Sequence, residues 1–159
     1  MYSQVPYTAV TSAVDLPLVD CIHLNAGGLN RLGRRLARLA LALPTVPGAL
    51  IGPRIVRTDR QPEPPDKELV RLTFSGVTGG WSPADDMAGF DVLTAAGQPH
   101  PVNHVINAFP DKRDPSAIQV RLNVPLQAGE RLSYGHGLRP VCNVVDGADL
   151  PLCACEILF

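Results

Sequence analysis

The sequence has few charged residues and no long apolar segment. Charged side chains are 18% of its 159 residues, against a usual share of about 25%. The 14 Lys and Arg nearly balance the 15 Asp and Glu, for a net charge of −1. Proteins that hold nucleic acid or anionic lipid electrostatically carry a basic excess that is missing here, and no apolar run approaches the roughly 18 residues of a membrane span. We therefore expect neither a nucleic-acid partner nor a membrane partner.

The composition divides the chain near residue 48. Hydrophobic residues, at 45%, suffice for a packed core, and 14 Gly and 16 Pro favour many turns and short strands. Residues 1–48 carry four arginines against two aspartates, a net of +2, whereas residues 49–159 carry ten basic and thirteen acidic residues, a net of −3. The second part also holds most of the Gly and Pro. We therefore expect two segments of different architecture.

The first segment predicts one strand followed by one helix. Tyr7–Ala13 is rich in β-branched and small residues, which favours a short strand. Residues 25–43 have an apolar face at helical spacing, with Asn25 as the N-cap and Pro44 as the stop. The apolar face consists of Leu29, Leu32, Leu36, Leu39 and Leu43. The opposite face, expected to be solvated, carries Arg31, Arg34, Arg35 and Arg38. One strand and one amphipathic helix do not make a domain, so the pattern indicates the last β–α unit of a larger α/β sheet.

The second segment predicts an all-β domain. No helix-length period interrupts its short apolar stretches, and in Ile118–Val124 apolar and polar side chains alternate as in a half-buried strand. Residues 59–68 have the composition of an exposed loop. Short strands without intervening helices pack antiparallel, most simply as a small β-sandwich. The candidate strands are Arg54–Thr58, Glu68–Phe74, Phe90–Thr94, Ile118–Val124, Arg131–Tyr134 and Cys155–Phe159.

Asp20 and His23 are the candidate catalytic residues. They lie in the loop between the predicted strand and helix, where α/β proteins place their sites. A carboxylate three residues before a histidine can accept the imidazole Nδ1 proton and leave Nε2 free to take a proton from a nucleophile. The spacing alone is weak evidence and favours a capping or packing role over catalysis.

The surrounding residues resemble a known family. The run from Val14 to Gly33, with Asp20-Cys21-Ile22-His23 followed by a glycine-containing leucine helix, resembles the final catalytic block of SGNH (GDSL-type) hydrolases. Later motifs follow in the order found in the C-terminal region of sialate O-acetylesterase-like proteins, a carbohydrate-esterase branch of that family. These motifs are Gly52-Pro53-Arg54-Ile55, Gly79-Gly80-Trp81, Ala88-Gly89-Phe90, Leu132-Ser133-Tyr134-Gly135, Cys142-Asn143-Val144 and Leu150-Pro151-Leu152.

The resemblance implies an esterase that removes O-acetyl groups from carbohydrate. Residues 1–48 would end the three-layer SGNH hydrolase domain, and residues 49–159 would form a β-sandwich-like accessory domain. His23 would be the general base and Asp20 its orienting partner. The family's nucleophilic serine and oxyanion hole come from blocks far upstream, and neither Ser3 nor Ser12 follows a Gly-Asp.

This chain alone is therefore expected to be inactive and to need the missing hydrolase portion, encoded in the same gene or supplied by a separate chain. An O-acetylated carbohydrate is the expected substrate, and no cofactor or metal is implied. A non-catalytic β-sandwich module that binds carbohydrate or another partner is the alternative. A bonded Asp20–His23 pair near a cleft would favour the esterase, and the two side chains apart in bulk water would favour the module.

Other candidate residues have simpler interpretations. His100 and His104 have the spacing of zinc ligands, but no second pair accompanies them, and a turn with exposed histidines is expected. Trp81 is expected in the core rather than against a sugar. Asn143 and Asp146 fit turns as well as a substrate rim.

The cysteines do not form a zinc motif. They are widely and unevenly spaced, and a chain of this length does not need disulfides. We expect buried free thiols. The four are Cys21, Cys142, Cys153 and Cys155.

Overall fold

A computed structural model describes residues 8–42 and 52–159. Within these ranges, one helix, α1 (Ala26–Ala42), precedes nine strands, all paired antiparallel. The described helix is too short and too polar to cross a membrane. The strands are β1 (Arg54–Glu63), β2 (Lys67–Ser75), β3 (Trp81–Ser82), β4 (Phe90–Leu93), β5 (Val105–Pro110), β6 (Ala117–Leu122), β7 (Arg131–Tyr134), β8 (Val145–Asp146) and β9 (Cys155–Leu158).

The strands form three sheets around one core. The largest has the order β1-β2-β6-β5, a second has the order β4-β7-β9, and β3 pairs with β8. Alternate side chains of β2 and β6 are buried, as the alternation in Ile118–Leu122 predicts. They meet Val92, Leu132 and Ile157 of the three-stranded sheet in a single hydrophobic cluster. The predicted largely β architecture of this part is confirmed.

All six strands predicted in the second segment exist, but most of their borders differ from the predicted ones. β1 continues through Glu63 and β2 begins at Lys67, so the predicted loop over residues 59–68 shrinks to a three-residue turn at 64–66. Ion pairs between Arg60 and Glu68 and between Arg121 and Glu63 allow charged residues to occupy paired strands. This explains why polar composition indicated a loop. The strands β3, β5 and β8 were not predicted.

The predicted strand at Tyr7–Ala13 is wrong for the residues that the structure describes. Residues 8–13 form no strand, and Tyr7 lies outside the described residues. The end of this segment makes two hydrogen bonds that do not belong to a sheet. The Ala13 carbonyl accepts a hydrogen bond from Leu16 N in a turn, and the Ser12 carbonyl accepts one from the Arg35 guanidinium. The Arg35 side chain thus donates the hydrogen bond to the Ser12 carbonyl that a neighbouring strand would donate in a sheet.

The helix has the predicted bounds but packs with a different face. Asn25 Oδ1 accepts a hydrogen bond of 2.8 Å from Gly28 N, which confirms the N-cap. The predicted stop at Pro44 lies outside the described residues. Arg35 is only 1% exposed, whereas Leu29 is 58% and Leu36 is 50% exposed. The expectation that the leucines pack and the arginines are solvated is therefore wrong for these three positions, whereas Leu39, at 3% exposed, is buried as expected.

Two arginines on one face of α1 bind two aspartates, one that precedes the helix in the sequence and one in the β domain. Arg35 donates to both carboxylate oxygens of Asp15 at 2.7 Å and from Nε to the Asp149 carbonyl at 2.8 Å. Arg31 pairs with the same two carboxylates. Hydrogen bonding to Arg31, with the charge of Arg35, lowers the pKa of Asp149 despite partial burial. This arginine cluster (Asp15, Arg31, Arg35 and Asp149) attaches the first segment to the β domain.

Removing the buried guanidinium is expected to destabilise the fold strongly. Arg35→Ala leaves the Asp15 carboxylate buried with only Arg31 as a charged partner, and breaking a buried pair in this way costs about 3–5 kcal/mol. Urea unfolding followed by circular dichroism measures this loss in the free energy of unfolding. Arg34→Ala, on an exposed position of the same helix, is the matched control, with an expected change within about 0.5 kcal/mol. Equal losses from the two variants would contradict a structural role for the cluster.

Candidate functional site

The loop before α1 is closed by its own backbone. Leu18 and Leu24 form an antiparallel bridge, and Val19 N donates to the His23 carbonyl at 2.8 Å. At the helix start, a Cβ on Gly28 would lie 2.9 Å from the Pro17 carbonyl oxygen. Because only glycine avoids this contact, Gly28 allows the loop to approach the first turn of the helix closely. The loop is thus held in one conformation without burying its tip.

Asp20 and His23 are bonded to each other in this loop. Asp20 Oδ2 lies 2.7 Å from His23 Nδ1. Asp20 Oδ1 accepts hydrogen bonds of 2.8 Å from the backbone N–H groups of Ile22 and His23. The hydrogen bond with His23, followed by these two backbone bonds, lowers the pKa of Asp20 below its usual range. The carboxylate is therefore ionised at neutral pH and accepts the Nδ1 proton.

This hydrogen bond assigns the histidine tautomer. An ionised carboxylate only accepts hydrogen bonds, so the proton of the shared bond resides on His23 Nδ1. In the neutral ring, Nε2 then has a free lone pair. The pair has the orientation that a general base needs, with one nitrogen fixed by a carboxylate and the other available for a proton.

The pair lies on an open surface. The side chain of His23 is 68% exposed and that of Asp20 is 50% exposed. The neighbouring apolar side chains of Val19 and Ile22 are exposed as well. A cavity of about 730 Å³ lies elsewhere, lined by Val10–Ser12, Gly52–Ile55 and residues 151–158, and neither member of the pair lines it. The bonded pair expected of the esterase is present, whereas the described residues form no cleft around it.

Among the described residues, no serine is positioned as a nucleophile for the pair. Ser12 Oγ accepts a hydrogen bond from Val14 N, Ser116 Oγ donates to Asp114, and Ser133 Oγ donates to the Asp91 carbonyl. None of the serines in the described ranges hydrogen-bonds to His23. Ser3 lies outside the described residues. A serine that uses His23 as its base is therefore not found in the part of the chain that the structure describes.

Other candidate residues have structural roles. Trp81 is buried against Phe74, with ring centroids 4.7 Å apart, as expected of a core residue. Asn143 binds the backbone of residues 86 and 88. Asp146 is buried and accepts backbone N–H bonds from residues 78, 148 and 150. Asp146 thus binds the turn that follows it, in agreement with turn chemistry, whereas Asn143 connects its loop to a segment more than 50 residues earlier.

The cysteines are free thiols, but only part of the expectation holds. All four are unpaired, Cys142 is buried and Cys155 is half-buried. Burial raises the pKa of Cys142 and raises that of Cys155 to about 11, which keeps both in the unreactive thiol form at neutral pH. Cys21 and Cys153 are exposed, so the expectation of burial is wrong for these two.

The residues that position the Asp20–His23 loop were not identified from the sequence. They are the members of the arginine cluster, which fix Asp15 before the loop and α1 after it. Arg31 and Arg35 are four residues apart and so share one helix face, which is the only sequence signal for a common partner. The acidic partner from the β domain is 114 residues from Arg35 along the chain, a separation at which sequence periodicity carries no information.

Comparisons with known proteins give no relative of this chain. No protein-family model matches it, and neither the curated proteins nor the solved structures that were searched contain a match. The hydrogen-bonded pair therefore rests on its own geometry.

The tautomer of His23 is directly measurable. In ¹⁵N-detected NMR of the imidazole near neutral pH, we expect the neutral ring to carry its proton on Nδ1. Asp20→Ala removes the acceptor and is expected to shift the population toward the Nε2-protonated form. Asp85→Ala, in an exposed acidic position of a different loop, should leave the His23 signals unchanged. A predominantly Nε2-protonated ring in the unsubstituted protein would contradict the assigned geometry.

Proposed function

We propose that this chain is the C-terminal part of a serine esterase that removes O-acetyl groups from carbohydrate. The observation that carries the proposal is the 2.7 Å contact between Asp20 Oδ2 and His23 Nδ1. It supports the role of general base that the resemblance to sialate O-acetylesterase-like SGNH hydrolases gives to His23. The two backbone bonds to Asp20 Oδ1 fix the carboxylate in the position from which it orients the ring.

In this mechanism His23 transfers a proton in each of two half-reactions, first from the serine hydroxyl to the sugar oxygen and then from water to the serine oxygen. Its Nε2 takes the proton of the serine hydroxyl while the serine oxygen attacks the acetyl carbonyl carbon, and Asp20 stabilises the resulting imidazolium. The tetrahedral intermediate expels the sugar oxygen, which receives that proton, and an acetyl-serine remains. A water molecule then repeats the sequence. His23 takes its proton while the water oxygen attacks the acetyl carbonyl carbon. The second tetrahedral intermediate expels the serine oxygen, which receives that proton from His23, and acetate leaves. No electrons are exchanged and no cofactor is consumed.

The serine is supplied, in this proposal, by an SGNH hydrolase portion outside this sequence. The exposed apolar face of α1 supports this, because Leu29 and Leu36 lie two turns apart on one side and are at least half exposed. Covering both with a sheet would contribute about 1 kcal/mol each. Val19 and Ile22 in the loop are exposed in the same way. A covering domain would also build the cleft that the described residues lack around His23.

The proposed division of labour follows the two segments. Residues 1–48 complete the hydrolase domain with the general base and one helix, and residues 49–159 form an accessory β domain. The arginine cluster supports this arrangement because it attaches α1 to the β domain through a buried ion pair. A displacement of the β domain would thereby be passed to the loop that carries His23.

The esterase proposal is tested by supplying the missing half. This chain alone should hydrolyse p-nitrophenyl acetate no faster than buffer does. Co-expressed or fused with the polypeptide encoded immediately upstream, provided that it contains a Gly-Asp-Ser block, it should release acetate from O-acetylated sugars. His23→Ala should lower kcat by at least about 10³-fold, and Asp20→Asn by a comparable factor, since triad members act as a unit. His136→Ala, a substitution in a loop of the β domain, is the matched control and should retain full activity.

Three results would contradict the proposal. Turnover by this chain alone that His23→Ala abolishes would show a nucleophile within it. Activity of the assembled enzyme that survives His23→Ala would remove the histidine from the mechanism. An upstream sequence without a Gly-Asp-Ser block, together with sugar binding that His23→Ala does not change, would favour the non-catalytic carbohydrate-binding module.

A further inference from the structure

Three metal-ligating side chains meet on the β domain, apart from the Asp20–His23 loop. His100 and His104 lie in the connection between β4 and β5, and Glu130 directly precedes β7. One ligand atom from each lies within 4.8 Å of the others. We propose that these three residues bind a divalent transition metal, with Zn²⁺ as the natural occupant. The proposal is independent of the esterase function.

His104 has a buried polar atom without a partner. The residue is 9% exposed, and among the described residues its Nδ1 finds no hydrogen-bond partner. A buried nitrogen of this kind is destabilising unless something binds it, and native structures rarely leave one unsatisfied. A metal ion coordinated to His104 Nδ1 would give this atom the partner that it lacks. The expectation of an exposed histidine is thus wrong for His104, because the loop folds its ring inward.

His100 and Glu130 each keep one atom available for the same ion. His100 Nδ1 lies 3.2 Å from the Val102 carbonyl oxygen and 3.3 Å from Val102 N, so it can donate to the first or accept from the second. In the tautomer that donates to the carbonyl, Nε2 is free to act as the ligand. Glu130 Oε2 accepts a hydrogen bond from Gln127 N at 2.9 Å, which leaves Oε1 to act as a metal ligand. The two remaining atoms, His100 Nε2 and Glu130 Oε1, are 3.7 Å apart. That distance is too long for a hydrogen bond but suits two ligands of one ion.

The spacing of the three groups matches a small coordination sphere. Zinc bonds of about 2.0–2.1 Å place two tetrahedral ligands about 3.3 Å apart, so shifts of an ångström or less would close the site. The imidazole rings of His100 and His104 are already 3.8 Å apart between centroids. Their backbones are fixed by hydrogen bonds from His100 N to the Val92 carbonyl and from Asn123 N to the His104 carbonyl. The fold therefore holds the histidines together before an ion binds.

The donor set selects the class of ion. Two imidazole nitrogens and one carboxylate oxygen suit zinc and its first-row neighbours, whereas Mg²⁺ and Ca²⁺ prefer oxygen ligands throughout. Three protein ligands leave a fourth position for water. The ion would link the β4–β5 connection to the turn before β7. His104 directly precedes β5 of the four-stranded sheet, and Glu130 directly precedes β7 of the three-stranded sheet. When bound, the ion would tie the four-stranded sheet to the three-stranded sheet and keep its fourth position open to water.

The test uses the full chain after treatment with a chelator. Calorimetric titration with ZnCl₂ should show one site, and Zn²⁺ at 100 times its Kd should raise Tm by about 5–10 °C. Co²⁺ should give the intense visible absorption of a four-coordinate site without thiolate charge-transfer bands. Glu130→Gln, nearly the same size as the native residue, and His100→Asn should each weaken binding at least about tenfold. His136→Ala and Cys153→Ser are matched controls that should bind as the unsubstituted protein does.

The outcomes separate a built site from adventitious binding. One-site binding that Glu130→Gln and His100→Asn weaken, and that the controls leave intact, supports the proposal. No zinc binding by a folded chain would overturn it. So would binding that persists in the ligand variants, or Co²⁺ spectra with thiolate bands. Circular dichroism of each variant establishes that the fold is retained, and His104→Gln gives a third independent variant if one of the others unfolds.

Discussion

A buried guanidinium holds the two parts of this protein together. Arg35 is fully enclosed and reaches Ser12 and Asp15 in the first segment and Asp149 in the β domain. Charged groups removed from water must be satisfied on all sides, and here the guanidinium makes five hydrogen bonds to oxygen atoms of three residues. The positions of α1 and of the loop before it follow from that requirement. The loop that carries the Asp20–His23 pair is therefore positioned by an ion pair that the two residues do not touch.

Periodicity in the sequence predicts which residues share a face but not which face packs. The bounds of α1, the Asn25 cap and the alternation of β6 are local properties, and each was predictable. The direction in which α1 packs was not, because a leucine row is the normal sign of a buried face. The choice depends on acidic partners such as Asp149, whose position is set by the whole β domain. Local chemistry also concealed β1, where ion pairs allow charged residues into a strand.

The two candidate sites also differ in whether local sequence or the whole fold creates them. The bond between Asp20 and His23 spans three residues, so an Asx-type turn creates it locally, and the spacing was enough to suggest it. The group of His100, His104 and Glu130 needs a residue about 30 positions away, brought close only when β4 and β7 pair. Spacing between the two histidines hinted at ligands, but the carboxylate that makes three donors was visible only in the folded chain.

The exposed leucine face of α1 has a consequence for how the protein behaves in solution. Apolar side chains on one side of a helix, with more in the adjoining loop, form the kind of surface through which proteins associate or aggregate when its normal cover is missing. The β domain has a complete core of its own, so such association would join folded molecules rather than unfolded ones. The exposed leucines of α1 thus favour association between folded molecules, while the arginines of the same helix attach it to the β domain.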